Sequence, residues 1–227
     1  MKRFDLNHMS IRHINSILQN PPKTNSPKEW QIDNPMGKHA VACGLNDTIS
    51  VKINGHVGFY CGGMNQRAKI TIDGHAGVGV AENMMSGVIR VTGNASQSAG
   101  SSANGGLLVI EGDTSSRCGI SMKGANIVIG GSVGHMSAFM AQSGNLVICG
   151  NAGNAFGDSI YEAKLFVRGK VESLGSDCIE KEMRPEHLEE LATLIKKAEM
   201  SVHPNEFKRF GSSRKLYNFK TENIGKY

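Results

Sequence analysis

Seven glycines, Gly55, Gly74, Gly93, Gly112, Gly131, Gly150 and Gly169, stand 19 residues apart without a slip. A fixed period of this size leaves a chain few folds. Each repeat is one unit that cannot bury its apolar face alone, so successive units must stack. Two positions before each glycine lies Ile53, Ile72, Val91, Ile110, Ile129, Ile148 or Val167. Four before lies Val51, Ile70, Ile89, Leu108, Ile127, Leu146 or Leu165, and two after lies Val57, Ala76, Ala95, Thr114, Val133, Ala152 or Val171. Aliphatic residues at alternate positions make a short strand with one buried face. The glycine that follows permits a bend where a side chain would obstruct it.

Nineteen residues are too few for a strand plus a long helix, and they suit one coil of two or three short strands. The repeat predicts an all-β fold, a single right-handed parallel β-helix of seven 19-residue coils over 49–180. Stacked at the strand spacing, these make a rod roughly 30 Å long. Leucine-rich repeats are the competing solenoid, but their LxxLxLxxN signature is absent. The seven turn glycines are expected to serve structure.

The same register places other residues. Cys61 and Cys118 share the column six after the glycine, three coils and about 14 Å apart, beyond disulfide reach. Cys149 precedes its glycine and is expected to point outward. His56 and His75 begin a column that continues Asn94, Asp113, Ser132, Asn151, Lys170. Two adjacent imidazoles do not supply the ligands zinc wants, so a polar turn ladder is expected. The column three before the glycine faces outward and changes character along the chain. Lys52, Thr71 and Arg90 suit solvent, whereas Val109, Val128, Val147 and Phe166 form an apolar strip. A cover is required, and the candidates are a helix over 185–200 or a partner subunit.

The flanks read differently. Residues 1–48 are expected to hold a short helix capped by Ser10 with Ile11, Ile14 and Leu18 on one face. A linker at PPKTNSPKEW (21–30) and an extended capping strand at HAVACGL (39–45) follow. Residues 181–227 are expected to give a helix from Pro185, with Leu188, Leu191, Ala192, Ile195 and Ala198 as its apolar stripe, then a basic tail. Phe207, Phe210, Tyr217 and Phe219 are scattered through that tail, which is expected to order on a partner.

The net charge of +5 is mild, and its excess sits near the end, in Lys208, Arg209, Arg214, Lys215, Lys220 and Lys226. With no aromatic-interleaved basic stripe, nucleic acid is not an expected partner. A solvated tail is the plain reading, and docking on an acidic protein is the alternative. Five cysteines without a CxxC pair argue against a zinc or iron–sulfur site in this chain. No apolar run suggests a signal peptide or membrane span, so a reducing cytoplasm is expected. No nucleophile–base pair, GxSxG or Walker loop is present. GHAGVG (74–79) resembles a dinucleotide loop only superficially, since it recurs in each coil without a following helix. Glu82, Asp158 and Glu162 read as turn or surface acids. No catalytic, cofactor or metal residue is assigned.

The Gly-x-x-Gly pair after an aliphatic strand, intact at Gly55/Gly58, Gly74/Gly77, Gly131/Gly134 and Gly150/Gly153, resembles the GXGXG domain of the glutamate synthase large subunit. Ser96, Ser115 and Glu172 replace the second glycine elsewhere. The stretches AENMMSG (81–87), GGLLVIEGDTSSRCGISMKG (105–124), GHMSAFMAQSGNLV (134–147), YEAKLFVRG (161–169), EKEMRPEHLE (180–189) and RKLYNF (214–219) are similar to the GXGXG subunits of N-methylglutamate synthases. That resemblance implies a non-catalytic subunit of a three-part enzyme. One partner would be a class II amidotransferase-like subunit. The other would be an FMN-binding, glutamate synthase-like subunit with an iron–sulfur cluster. The same role in a glutamine-dependent glutamate synthase-like enzyme, or in formylmethanofuran dehydrogenase, is the alternative. A carbohydrate lyase would want a groove of aromatics, acids and bases. Arg117 and Met136 on turn loops, with the strip Val109, Val128, Val147 and Phe166, are candidate partner contacts.

Overall fold

A computed structural model describes residues 2–22 and 29–214. The repeat forms seven parallel strands: β3 (Ser50–Asn54), β4 (Lys69–Asp73), β5 (Val88–Val91), β6 (Leu107–Ile110), β7 (Lys123–Ile129), β8 (Ser143–Ile148) and β9 (Lys164–Val167). Each pairs with the next in the register of the sequence columns, as in Val51 to Ile70 and Ile110 to Ile129. The chain is therefore a parallel β-solenoid. Its interior ladders are closed: Ile72, Ile110, Ile129 and Ile148 are fully buried, as are Ile70, Leu108, Ile127 and Leu146. A second ladder two residues after the glycine is joined by single bridges, Val57 to Ala76 and Ala76 to Ala95.

The turn column explains the glycines. The His75 amide donates to His56 Nδ1 at 2.9 Å, and the Asn94 amide to His75 Nδ1 at 2.8 Å. The Asp113 amide then donates to Asn94 Oδ1 at 3.0 Å, and the Asn151 amide to Ser132 Oγ at 3.0 Å. Each side chain thus accepts from the backbone of the following coil, and His56 and His75 stack with ring centroids 4.8 Å apart. The acceptor lies where the next glycine would carry its Cβ. A Cβ on Gly112 would stand 2.0 Å from Asn94 Oδ1, and one on Gly131 would stand 2.1 Å from Asp113 Oδ1. The glycines are required by close approach as well as by the bend.

The remainder of each coil is a tight turn with left-handed residues at alternate positions. Ser98, Gly100 and Ser102 have φ of 61°, 67° and 53°. Arg117, Gly119 and Ser121 repeat the pattern with 59°, 68° and 53°. A non-glycine residue here costs roughly 1–2 kcal/mol. Bonds between coils, such as the Ser98 amide to Ser116 O at 2.9 Å, offset that cost at each step.

Both ends depart from the sequence-based expectation. The capping strand expected at 39–45 is instead a left-handed turn, with Ala40, Ala42 and Gly44 at φ of 55°, 55° and 65°. The burial does not alternate as in a strand, since Val41, Ala42, Cys43 and Leu45 are all buried. The strand of this coil is β2 (Glu29–Asp33), which begins in the last two residues of the segment expected to be linker. It pairs Trp30 with Val51 and Ile32 with Ile53, a spacing of 21 residues that hides it from a search at 19. Before it, β1 (Lys2–Asp5) adds a further parallel strand. Helix α1 (Ile11–Gln19) starts at Ser10, whose Oγ accepts from the His13 amide at 3.3 Å, as expected. It covers the open end: Asn15 donates to Ala40 O at 2.7 Å and accepts from the Ala42 amide at 2.9 Å, and Gln19 donates to Cys43 O at 2.8 Å. Backbone groups that an edge would leave bare are thereby paired.

At the other end the chain reverses. β10 (Cys178–Lys181) leads into helix α2 (Pro185–Ala198), a 3-10 turn at Pro204–Glu206, and β11 (Lys208–Ser212). β11 lies antiparallel between β9 and β10. The segment 201–214, expected to order only on a partner, is thus part of the fold, with Phe207 and Phe210 buried. Tyr217, Phe219, Lys215, Lys220 and Lys226 lie outside the described residues. The sheet runs from β1 to β10 without a break, so it crosses the expected boundaries at 48 and 180.

Replacing Ile129 by Ala should cost about 2–5 kcal/mol in denaturant unfolding, and Ile129→Asp should prevent folding. Gly112→Ala should destabilise by about 1–3 kcal/mol through overpacking. Adding Asn94→Ala removes the obstructing oxygen, so the double variant should cost less than the sum of the singles. Additive losses would show that the turn acceptor does not set the glycine.

Candidate interaction surface

The apolar strip is covered by the chain itself. Val109, Val128, Val147 and Phe166 are fully buried and pack with Leu191, Leu194, Ile195 and Ala198 of α2 and with Phe207. Of the two expected covers, the helix over 185–200 and a partner subunit, the structure shows the helix, so these four residues are not open as the partner contacts also expected of them. The buried face of α2 is also turned from the expected stripe, since His187 and Leu194 are buried whereas Ala192 is exposed. Arg90, at the solvent-compatible end of the strip, holds the helix C-terminus. It donates to Ala198 O at 3.0 Å and pairs with Glu111 at 2.8 Å and Glu199 at 3.2 Å. A cation at this pole also suits the helix dipole. Cys149 points out of the solenoid as expected, yet it is buried beneath this cover.

The five cysteines are dispersed and buried. Burial pushes the thiols of Cys118 and Cys178 up to about 12 and that of Cys43 up to about 11. They pack as small apolar groups rather than as thiolates. Among the described residues no three of His, Cys, Asp or Glu gather as a metal site. No helix among them is long and apolar enough to cross a membrane.

What remains open is the left-handed turn face. Arg117 is exposed and Met136 half-buried, with φ of 59° and 54°. They occupy successive coils of one left-handed column, so their backbone strain belongs to the repeat. Sequence reasoning missed the larger feature beside them. Phe59, Met64, Met85, Met140 and Tyr161 are exposed by 48%, 47%, 50%, 43% and 49%. All five fall between four and eleven residues after a repeat glycine, on the turn half of their coils. Phase along the 19-residue period was the signal that could have found them. Glu82 and Glu162 are half-buried in the same turns. Asp158 is held below the usual carboxylate range by hydrogen bonds from Ser159 and the Ser176 amide. These acids stand in separate coils and do not converge on one reacting atom. The five exposed apolar side chains are spread over three columns of the turn half, whose other coils carry polar residues such as Gln97, Ser102 and Lys123.

The sequence matches the GXGXG motif family over residues 29–223. The chain belongs to that family, and the match starts at the first residue of β2. It is 56% identical over 228 residues to Protein GlxC of Rhizobium meliloti (strain 1021), with 100% of each chain covered. No solved structure matches.

The cover can be tested directly. Leu191→Ala should cost about 2–5 kcal/mol. Leu191→Asp should detach α2, raise hydrophobic-dye binding and make Cys149 react rapidly with a thiol reagent, while native protein reacts slowly. Equal Cys149 rates in Leu191→Asp and wild type would show that α2 does not guard the strip.

Proposed function

We propose that this chain is a non-catalytic structural subunit of a glutamate synthase-like complex, and within that class of an N-methylglutamate synthase. The reaction would convert L-glutamate and methylamine to N-methyl-L-glutamate and ammonia. In this reading a class II amidotransferase-like subunit and an FMN-binding subunit with an iron–sulfur cluster carry the chemistry. The present subunit holds them in register and walls an amine passage between them. Family membership supports the class, and the resemblance of stretches such as 105–124 and 134–147 supports the choice within it. The observation that carries the reading is the turn face: a stiff rod keeps its strand face for its own helix and leaves methionines and aromatics open along the turns. Methionine adapts to irregular partner surfaces.

Reconstitution tests it. The three subunits, purified separately and mixed with glutamate and methylamine, should form N-methylglutamate, and omission of this one should abolish turnover. Met64→Glu with Met140→Glu should leave folding intact and prevent complex assembly in size-exclusion chromatography. Full turnover without this subunit would remove the scaffold role. Product formation only from glutamine and 2-oxoglutarate would keep the role and move the complex to the glutamate synthase-like class.

A further inference from the structure

A cleft of about 360 Å³ lies where β9, β10, β11 and the start of α2 meet. Five cations line it, Lys164, Lys181, Arg184, Arg209 and Arg214, against one carboxylate, Glu162. Three are paired elsewhere: Lys164 with Glu190, Arg184 with Glu186 and Arg214 with Asp177. Lys181 and Arg209 form no ion pair among the described residues. They are nevertheless direct cross-strand partners in the β10–β11 pair. Both flank Gly211, where a Cβ would stand 3.7 Å from Lys181 Cε and 3.9 Å from Arg209 Nη1. Like charges directly opposite destabilise a strand pair. The strands do not need them for packing, because Cys178 and Phe210 supply the buried contacts.

The cleft is also ordered for donation. Arg209 Nε donates to Glu182 O at 2.9 Å, which fixes the guanidinium and leaves its terminal nitrogens available. His187 is only 6% exposed and lines the same cleft. Its Nδ1 accepts from the Arg184 amide at 3.2 Å, so in the neutral ring the proton sits on Nε2, which finds no acceptor among the described residues. Burial, reinforced by Arg209, Arg184 and Lys164, lowers the pKa of His187. The ring is therefore a neutral donor beside the cations at pH 7.

We propose that this cleft binds a small oxyanion carrying two or more negative charges, a phosphate or a dicarboxylate, with Lys181 and Arg209 as the principal donors and His187 Nε2 as a third. Such an anion converts a repulsive cross-strand pair into a bridged one. A concave site of this volume fits a small molecule better than a length of peptide.

The test is isothermal titration of the purified full chain with phosphate and with succinate, in chloride buffer of matched ionic strength, alongside poly-glutamate. Phosphate or succinate should bind saturably at one site. Lys181→Gln and Arg209→Gln should each weaken binding at least about tenfold, the scale of one charge-assisted hydrogen bond. Lys197→Gln, on the exposed side of α2, should leave it unchanged. Without ligand, Lys181→Gln should melt no lower than wild type, because it removes a repulsion. Absence of saturation with both small anions, or wild-type affinity in the two cleft variants, overturns the site. Saturable binding of poly-glutamate alone overturns it too, and would make the cleft a docking point for an acidic protein segment.

Discussion

The structure depends on one repeated exchange: a polar side chain at the turn of each coil accepts a hydrogen bond from the backbone of the next. His56, His75, Asn94, Asp113, Ser132 and Asn151 pass this bond along the rod. The acceptor must reach across the space that a side chain on the next coil would fill, so the glycine of one repeat is demanded by the polar residue of the repeat before. The period is thereby enforced between neighbours. The aliphatic ladders inside are compatible with this register, and the turn contacts select it.

The interior was legible because its physics is local and strictly periodic. Val51 through Leu165 and Ile53 through Val167 keep one phase, and the structure buries every member. The strip Val109–Phe166 was legible as a surface needing a cover, and the helix over 185–200 as one of two candidates for it. The ends were obscured for separate reasons. β2 carries the same alternation in Trp30 and Ile32, but a spacing of 21 residues takes it out of phase. The turn at 39–45 imitates a strand through its short apolar run Ala40–Cys43, and the left-handed φ of Ala40, Ala42 and Gly44 is what sets it apart. β11 is short, with Arg209 between two buried phenylalanines, and its pairing depends on a chain reversal that no repeat announces. Arg117 and Met136 were placed on the turn loops from their position in the repeat, which the left-handed φ of each matches. The exposed methionines were not, since Met64, Met85 and Met140 form no continuous column, with polar residues such as Asn83, Ser102 and Ser121 in the coils between.

The two long sides of the rod have different fates. The strand side is finished by α2, anchored at its C-terminus by Arg90 and seated on valines and a phenylalanine. The turn side stays bare and is built on left-handed residues whose strain is balanced coil by coil. A change on the strand side should therefore be felt as stability. A change on the turn side should be felt in association, because those exposed side chains support little else in the molecule.

The antiparallel placement of β11 against β9 also settles the size of the object. A parallel solenoid is in principle open-ended: its last coil offers the same edge as the one before, and another coil, from this chain or a second copy, could be added. Here β11 breaks the parallel order before the edge strand β10, and at the other end β1 forms the edge while Asn15 and Gln19 of α1 take up backbone groups of the 40–43 turn. Neither pole ends on a coil of the 19-residue repeat. The separation of the poles becomes a constant of the molecule, a gauge of roughly 48 Å over ten strand spacings from β1 to β10. Evolution could change that distance only in whole-coil increments of about 4.8 Å.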